Sequence, residues 1–160
     1  MIHNLDIPIE GLDSQCIGGI WHKSSDDLQP VVSPANEQII TRTALPTIAN
    51  ADHAVQLARH AFDHGPWPEL SIDERVRHCA RLCDAMESRL PALNRAWALE
   101  SGATITHGEL INDLVGASIW RKMLAMAPDL PWEEQRDDAL LLREPIGTVL
   151  SIMTFNGPII

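Results

Sequence analysis

The chain has 160 residues, 45% of them hydrophobic and 21% charged, which suits one ordinary globular domain. Its formal net charge of −10 argues against a nucleic-acid partner, because lysine and arginine side chains must neutralise the phosphates. No apolar run reaches the length of about 18 residues that a membrane span needs. The N-terminus also lacks the basic segment followed by an apolar segment that is typical of a signal peptide. We therefore expect a cytoplasmic location without membrane contact.

The first part of the chain predicts an arm followed by short strands. Residues 1–15 have no regular pattern and are predicted to be irregular. Residues 16–21 and 31–45 are rich in strand-forming side chains, and a polar stretch separates them. We therefore expect these two runs to pair as an opening β-hairpin, with a turn at residues 33–36 inside the second run.

Two helices are expected next. The first should cover residues 51–64, with Asn50 as N-cap, Asp52 in the first turn, and Gly65 followed by Pro66 as the stop. The second should begin at a capping box formed by Ser71 and Glu74. Apolar residues then recur at helical spacing up to residue 86.

A further helical segment should start at Pro91 and end at Gly102. A third main helix is predicted from a second capping box, Thr106 with Glu109, to Pro128. Its apolar residues recur on one face over about 17 residues, as helical periodicity requires. These residues are Leu110, Ile111, Leu114, Val115, Ile119 and Met123.

The last part of the chain has a different pattern. Residues 128–138 predict a loop, and residues 139–143 and 148–153 predict two strands. The second run is apolar almost throughout, as in a strand of an α/β sheet that is covered on both faces. Such a strand needs neighbours that this sequence does not supply, so we expect a truncated sequence or the product of a shortened reading frame.

Cysteines and histidines provide weak candidates for chemistry. Cys16, Cys79 and Cys83 are an odd number without an export signal, and we interpret them as reduced thiols rather than as a metal or redox set. His53, His60 and His64 fall within one arc of the first helix. A solvated helix face is the favoured interpretation, a metal-binding helical domain is the alternative, and no metal ligand is assigned.

Asn156 is the strongest single candidate. It directly follows the apolar run, and ligands bind just past the carboxyl ends of strands in α/β sheets. Its side-chain amide could donate a hydrogen bond to a developing oxyanion. Asn-Gly is also a common turn dipeptide, so local chemistry alone favours a simple turn.

Several segments, in this order, resemble the N-terminal third of the aldehyde dehydrogenase superfamily. The most specific is REPIGTV at residues 143–149, which is similar to the family pattern R-E-P-I-G-V-V. The others are residues 17–21 (IGGIW), 32–40 (VSPANEQII), 51–67, 71–75 (SIDER), 99–102 (LESG) and 152–158 (IMTFNGP). Ala103 stands where the family has lysine after its glycine.

The resemblance implies an α/β fold, namely an incomplete N-terminal part of a Rossmann-type cofactor domain with an opening hairpin, three helices and an oligomerisation strand. The implied divisions are an arm (1–15), the cofactor-domain part (16–137), the oligomerisation strand segment (138–146) and the first strand of the cofactor sheet (147–160). It also implies a homo-oligomer, dimeric or tetrameric, in the complete protein.

The resemblance further implies the chemistry. A cysteine thiolate attacks a small-molecule aldehyde, hydride passes to NAD or NADP, and a glutamate-activated water releases the acid. That cysteine and glutamate lie beyond residue 160, so the chain alone is expected to be inactive. Asn156 takes the place of the oxyanion donor. The implied cofactor contacts are Ile152, Met153, Thr154 and Phe155.

The chain departs from the family pattern around Asn156. Met153 and Thr154 replace a Thr-Pro pair, Phe155 replaces tryptophan and Gly157 replaces phenylalanine. A non-catalytic module that pairs with a full-length dehydrogenase through the strand at 139–143 is the alternative function, because exposed apolar edges favour association.

Overall fold

The computed structural model describes residues 10–24 and 28–160, and its first part consists of two antiparallel hairpins. Strand β1 (Ser14–Ile17) pairs with β2 (Ile20–Lys23), and β3 (Leu28–Val32) pairs with β4 (Ile39–Ala44). The predicted pairing of residues 16–21 with 31–45 is wrong, because each run folds back on itself. Gly18 and Gly19, with φ of 60° and 80°, form the tight two-residue turn that makes this possible.

The first strand also shortens the predicted arm. Residues 14 and 15 belong to β1, and most of the remaining arm, residues 1–9, lies outside the described residues. The backbone carbonyl of Leu12 accepts a hydrogen bond from the Ala44 amide at 2.9 Å, which joins the start of the described chain to β4.

Helix α1 (Ile48–His64) begins earlier than predicted. Its N-cap is Thr47, whose hydroxyl accepts from the Asn50 amide at 3.1 Å while the Asn50 side chain accepts from the Thr47 amide at 3.3 Å. Asn50 is therefore the third residue of a capping box and not the N-cap. Asp52 accordingly lies past the first turn. Gly65 ends the helix, as predicted.

Helices α2 (Ile72–Glu87) and α3 (Leu90–Ser101) have the expected ends. Ser71 caps α2, with its hydroxyl accepting from the Glu74 amide at 3.3 Å and the Glu74 carboxylate accepting from the Ser71 amide at 2.9 Å. Gly102 ends α3 with a φ of 76°, a conformation that glycine adopts without strain.

The last helical stretch differs most from expectation. It consists of α4 (Ile105–Gly108), a π-helix (Glu109–Ala117) and α5 (Ser118–Met126), with Thr104 and not Thr106 as its N-cap. Most of the predicted apolar face is exposed, Leu110 and Leu114 included, and Ile111 is half-buried. The buried residues are Gly108, Asn112, Gly116 and Ala117. The wider i→i+5 turn of a π-helix changes which residues share a face, so ordinary helical spacing selected the wrong side.

The end of the chain also departs from the predicted elements. Strand β5 (Glu133–Arg136) lies in the predicted loop and pairs with β6 (Ala139–Leu142), which confirms the strand expected at 139–143. No strand is assigned within residues 147–160. A strand is defined by hydrogen bonds to a neighbour, and this apolar run has no neighbouring strand among the described residues.

A small apolar cluster holds the helices together. Leu90, Ala117 and Ile159 are buried in it, and Leu93 and Trp120 pack against it. This cluster joins α3, the π-helix and the last residues of the chain, so it positions the segment that contains Asn156. Among the described residues, no helix is both long and apolar enough to cross a membrane.

Candidate functional site

Asn156 lies in a turn that leaves its side chain exposed to solvent. No hydrogen bond joins its amide group to any residue in the described part of the chain. The apolar residues before it are exposed as well, with 85% of the Ile152 surface and 83% of the Phe155 surface accessible, and Met153 and Thr154 are also exposed. The sequence-predicted site residues are therefore contiguous in one exposed segment with a free amide at its end.

One side of this turn is bound by Trp97 of α3. The indole N–H of Trp97 donates to the backbone carbonyl of Phe155 at 3.0 Å, across 58 residues of sequence. Trp97 itself is 5% exposed, and its ring stacks on His107 with 6.0 Å between centroids. The residue immediately before Asn156 is thus held by a buried donor.

The other side of the turn is bound by apolar packing. Ile159 lies in the cluster with Leu90 and Ala117. Gly116 of the π-helix lies beside these residues, and a Cβ built there would be in ordinary van der Waals contact with Ile160 at 3.4 Å and with Ile159 at 3.8 Å. The turn is consequently held before and after Asn156, while the Asn156 side chain remains free.

An apolar cleft of about 380 Å³ lies between the β3–β4 hairpin, α2 and α3, and Pro158 and Ile159 close one side of it, while Asn156 does not line it. Its volume lies within the range of small-molecule sites. Glu100 is the one acidic or basic side chain among the described residues that line it, and desolvation raises the pKa of this carboxyl. The other lining residues are Leu12, Val31, Ile40, Thr41, Thr43, Met86, Leu93, Ala96, Trp97, Pro158 and Ile159.

A buried polar network connects α3 to the π-helix. The Asn112 amide donates to Asn94 Oδ1 at 2.7 Å, and the Asn94 amide donates to Asp113 Oδ1 at 2.7 Å. Asn94 and Asn112 are 1% and 0% exposed, and Asn112 Oδ1 has no partner among the described residues. Buried amides that pair across two helices fix how those helices sit against each other.

The cysteines do not form a site. Cys16 is exposed on β1, Cys79 is half-buried and Cys83 is buried on α2. Burial raises the pKa of the Cys83 thiol, which opposes formation of the reactive thiolate. None of the three lines the apolar cleft that contains Glu100.

The histidine arc is divided in the structure. His60 and His64 lie side by side with 4.7 Å between ring centroids, whereas His53 lies 6.4 Å from His22 of β2. In the described ranges, no group of three or more His, Cys, Asp or Glu side chains is arranged to hold a metal ion.

Sequence reasoning missed Trp97, Glu100 and Asn112 as residues around the site. No motif marks Trp97, because its partner is a backbone carbonyl far along the chain. Asn112 carried a visible signal, since Asn112 and Asp113 form a polar pair between the apolar residues Ile111 and Leu114.

Comparison with protein families places the chain among aldehyde dehydrogenases. The model of the aldehyde dehydrogenase family matches residues 21–160. A cytosolic aldehyde dehydrogenase 1 of Rattus norvegicus is 30% identical over 150 residues, covering 90% of this chain and 30% of the relative. A salicylaldehyde dehydrogenase of Pseudomonas sp. (strain C18) is 29% identical over 147 residues, covering 88% of this chain and 30% of the relative.

Solved structures agree with these relatives. An aldehyde dehydrogenase of Mycobacterium tuberculosis, complexed with NAD+, superposes with a TM-score of 0.75 at 29% identity, over 83% of this chain and 29% of that chain. An indole-3-acetaldehyde dehydrogenase of P. syringae, in complex with NAD+ and IAA, superposes with a TM-score of 0.83 at 25% identity, over 98% of this chain and 32% of that chain. The chain spans about 30% of the length of the curated relatives it matches.

Proposed function

The chain belongs to the aldehyde dehydrogenase family, and from this premise we propose that it forms the N-terminal part of an NAD(P)-dependent enzyme that oxidises an aldehyde to a carboxylic acid. The observation that carries the proposal is the exposed Asn156 amide, free of hydrogen bonds to the described residues, on a turn held from both sides. An unpaired amide on a backbone that is held in place can donate to an oxyanion without first breaking another hydrogen bond.

Asn156 acts in this proposal on the carbonyl oxygen of the substrate. Attack on an aldehyde converts that oxygen into an alkoxide, and the Asn156 side-chain N–H donates a hydrogen bond to the developing charge. Because the turn is held before the charge forms, the donor needs little reorganisation during the reaction. One such donor contributes a factor of about 10²–10³ in rate.

The residues before Asn156 fit the nicotinamide end of the cofactor in part. Ile152, Met153 and Phe155 offer exposed apolar surface for a flat ring, and Thr154 offers a hydroxyl. Bound NAD(P)+ supplies the hydride acceptor of the reaction. No glycine-rich phosphate loop occurs in the sequence, so we assign no residue of this chain to the cofactor phosphates. The NAD+ in two solved relatives supports a nicotinamide cofactor of the NAD type, and NADP is the alternative.

No nucleophile or general base is assigned within residues 1–160. Cys83 is buried with a raised pKa, and none of the three cysteines lies in the exposed segment that ends at Asn156. We therefore expect the purified chain alone to form no NADH from aldehydes. Measurable aldehyde-dependent NADH formation that a single cysteine substitution abolishes would contradict this expectation.

Substitution of Asn156 tests the proposed oxyanion role. In a complete dehydrogenase that carries this segment, Asn156→Ala should lower kcat by about 10²–10³, because the transition state loses a charge-stabilising donor. Asn36→Ala is the matched control, since Asn36 also lies in an exposed turn but distant in sequence, and its side chain accepts a hydrogen bond from the Gln38 amide. An unchanged kcat in the Asn156 variant would refute the assignment.

An interaction module is the second candidate function. Strand β6 exposes leucines on both of its faces, with Leu140, Leu141 and Leu142 accessible over 56%, 43% and 48% of their surfaces. A two-stranded hairpin with exposed apolar faces favours pairing with another chain. Copurification of the segment with a full-length dehydrogenase would support this function, and a monomer without such a partner would count against it.

The same strand underlies the proposed assembly. We propose that β6 joins the oligomerisation sheet of a dimeric or tetrameric homo-oligomer, and that residues 147–160 provide the first strand of the cofactor sheet once neighbouring strands are present. The proposed substrate is a small-molecule aldehyde, and the proposed location is cytoplasmic.

A further inference from the structure

We propose that Trp97 is a positioning residue for Asn156, an inference that rests on the oxyanion role proposed above. Trp97 binds neither substrate nor cofactor in this proposal. Its indole N–H holds the Phe155 carbonyl and thereby sets the direction in which the next side chain points.

Trp97 acts on Asn156 through the peptide plane between Phe155 and Asn156. The Phe155 carbonyl and the Asn156 nitrogen belong to the same planar unit, so a donor that fixes one also fixes the other. Ile159, three residues after Asn156, is fixed independently in the apolar cluster. With both sides held, the Asn156 side chain retains only its own rotamers as freedom.

Trp97 provides the hydrogen bond that joins residues 144–160 to the helices. Within the described residues, the hydrogen bond from the Trp97 indole to the Phe155 carbonyl is the only one that joins residues 144–160 to the part of the chain before residue 144. The side chains nearby do not replace it, because Ile152 and Phe155 are almost fully exposed. Loss of the indole donor would therefore leave the segment before Asn156 with no polar anchor to the helices.

The donor is itself rigidly placed. Its ring is buried on α3 and stacks on His107 with an interplanar angle of 25°. One turn earlier on the same helix, Asn94 is bound to Asn112 and Asp113. The indole thus projects from a helix whose position is set by buried hydrogen bonds as well as by packing.

The first test measures mobility in the 160-residue chain by NMR. In the wild-type chain the Trp97 indole proton should exchange slowly with solvent, and Trp97→Phe should increase the fast backbone motion of residues 155 and 156 while retaining an aromatic ring. Trp132→Phe is the matched control, because the Trp132 indole makes the same kind of bond, to the Ala127 carbonyl at 2.7 Å, away from this turn. Rapid exchange of the Trp97 indole in the wild-type chain, or unchanged motion in the variant, would overturn the proposal.

The second test is a double-mutant cycle in a complete dehydrogenase that carries the segment. Trp97→Phe should lower kcat about 3- to 10-fold with KM unchanged, the rate equivalent of one ordinary hydrogen bond. The Trp97→Phe, Asn156→Ala double variant should be no slower than Asn156→Ala alone, because Trp97 acts only through that side chain. Trp132→Phe should leave kcat unchanged.

The outcomes separate the two proposals. Multiplicative losses in the cycle would show that Trp97 acts independently of Asn156 and would overturn the positioning role. If Asn156→Ala left kcat unchanged, the oxyanion role would fail, and the NMR experiment would still decide whether Trp97 orders the turn.

Discussion

Arg121 of α5 binds two carboxylates of α2 at once. Its guanidinium donates to both oxygens of Glu87, at 2.8 and 2.6 Å, and also to Asp84. This bidentate geometry gives an exposed ion pair more directional definition than a single contact has. The hydrogen bonds from Arg121 lower the pKa of Glu87 below its ordinary value of 4.5.

The lowered pKa predicts a pH-dependent stability. A carboxyl with a lower pKa in the folded chain contributes stability above its unfolded pKa and loses it as pH falls through the folded pKa. Glu87→Gln should therefore lower Tm at pH 7, and the difference from wild type should shrink as pH falls below 4.5 and through the lower pKa of the folded chain. Thermal unfolding followed by circular dichroism at a series of pH values measures this.

A matched substitution isolates the effect of Arg121. Glu133 is exposed on β5 and forms no ion pair with any described residue. Glu133→Gln should therefore change Tm little, both at pH 7 and below pH 4.5. A Glu87→Gln difference that does not shrink at any pH below 4.5 at which the chain still folds would show that the ion pair is not its cause.

At the scale of the helix, the capping residues could be predicted from the sequence only where a single residue near the helix end had a suitable side chain. The Ser71–Glu74 box and the Gly102 stop were correct because both depend on hydrogen bonds or dihedral angles within a few residues. Asn50 and Thr106 were wrong by a few positions, since Thr47 and Thr104 also carry capping side chains. Neighbouring candidates of similar chemistry are not separated by local preference alone.

Gly102 supports a prediction about the end of α3. Alanine there would adopt a left-handed conformation at a cost of about 1–2 kcal/mol. Its Cβ would also lie 2.9 Å from Pro34 Cγ, in the turn between β3 and β4. Gly102→Ala should thus lower the free energy of unfolding by more than the conformational term, as measured by urea denaturation.

Gly19 is the matched control for that measurement. It has a similar φ of 80°, and nothing lies within 4 Å of a Cβ built on it. Gly19→Ala should therefore carry the conformational cost without the steric one. Equal losses in the two variants would indicate that the contact between α3 and the β3–β4 turn is looser than the structure has it.

For the whole molecule, exposed apolar side chains occur in most elements of the described chain, and β6 and residues 146–155 contain two runs of them close together in sequence. Leu140 to Leu142 and most apolar side chains of the later segment are accessible. The surface of a soluble monomer seldom has apolar patches this continuous, so association is the expected behaviour. This expectation agrees with the assembly proposed for β6.

A charge placed in β6 tests that expectation. Leu141→Lys should shift the purified chain toward the monomer, because burying an unpaired ammonium group in a strand interface is unfavourable. Size-exclusion chromatography with light scattering gives the mass directly. Gln135→Lys on the partner strand β5 adds the same charge without removing a leucine, so it should associate as the wild type does. Equal masses for the two variants would remove β6 from the interface.

The sequence by itself determined the family and the order of most helices. These features depend on short motifs and on hydrogen bonds between residues that are close in sequence, so a short stretch of sequence is enough to predict them. The capping box at Ser71 and the segment REPIGTV at residues 143–149 are examples of such short stretches.

Only the tertiary structure decided what surrounds Asn156. The bond from Trp97 to Phe155 spans 58 residues, and the π-helix buries Asn112 and Gly116 instead of the leucines that helical spacing selects. The run at 148–153 forms no strand, because a strand exists through its neighbours and not through its own residues. Contacts between distant segments depend on how the helices pack, and no local pattern in the chain encodes that packing.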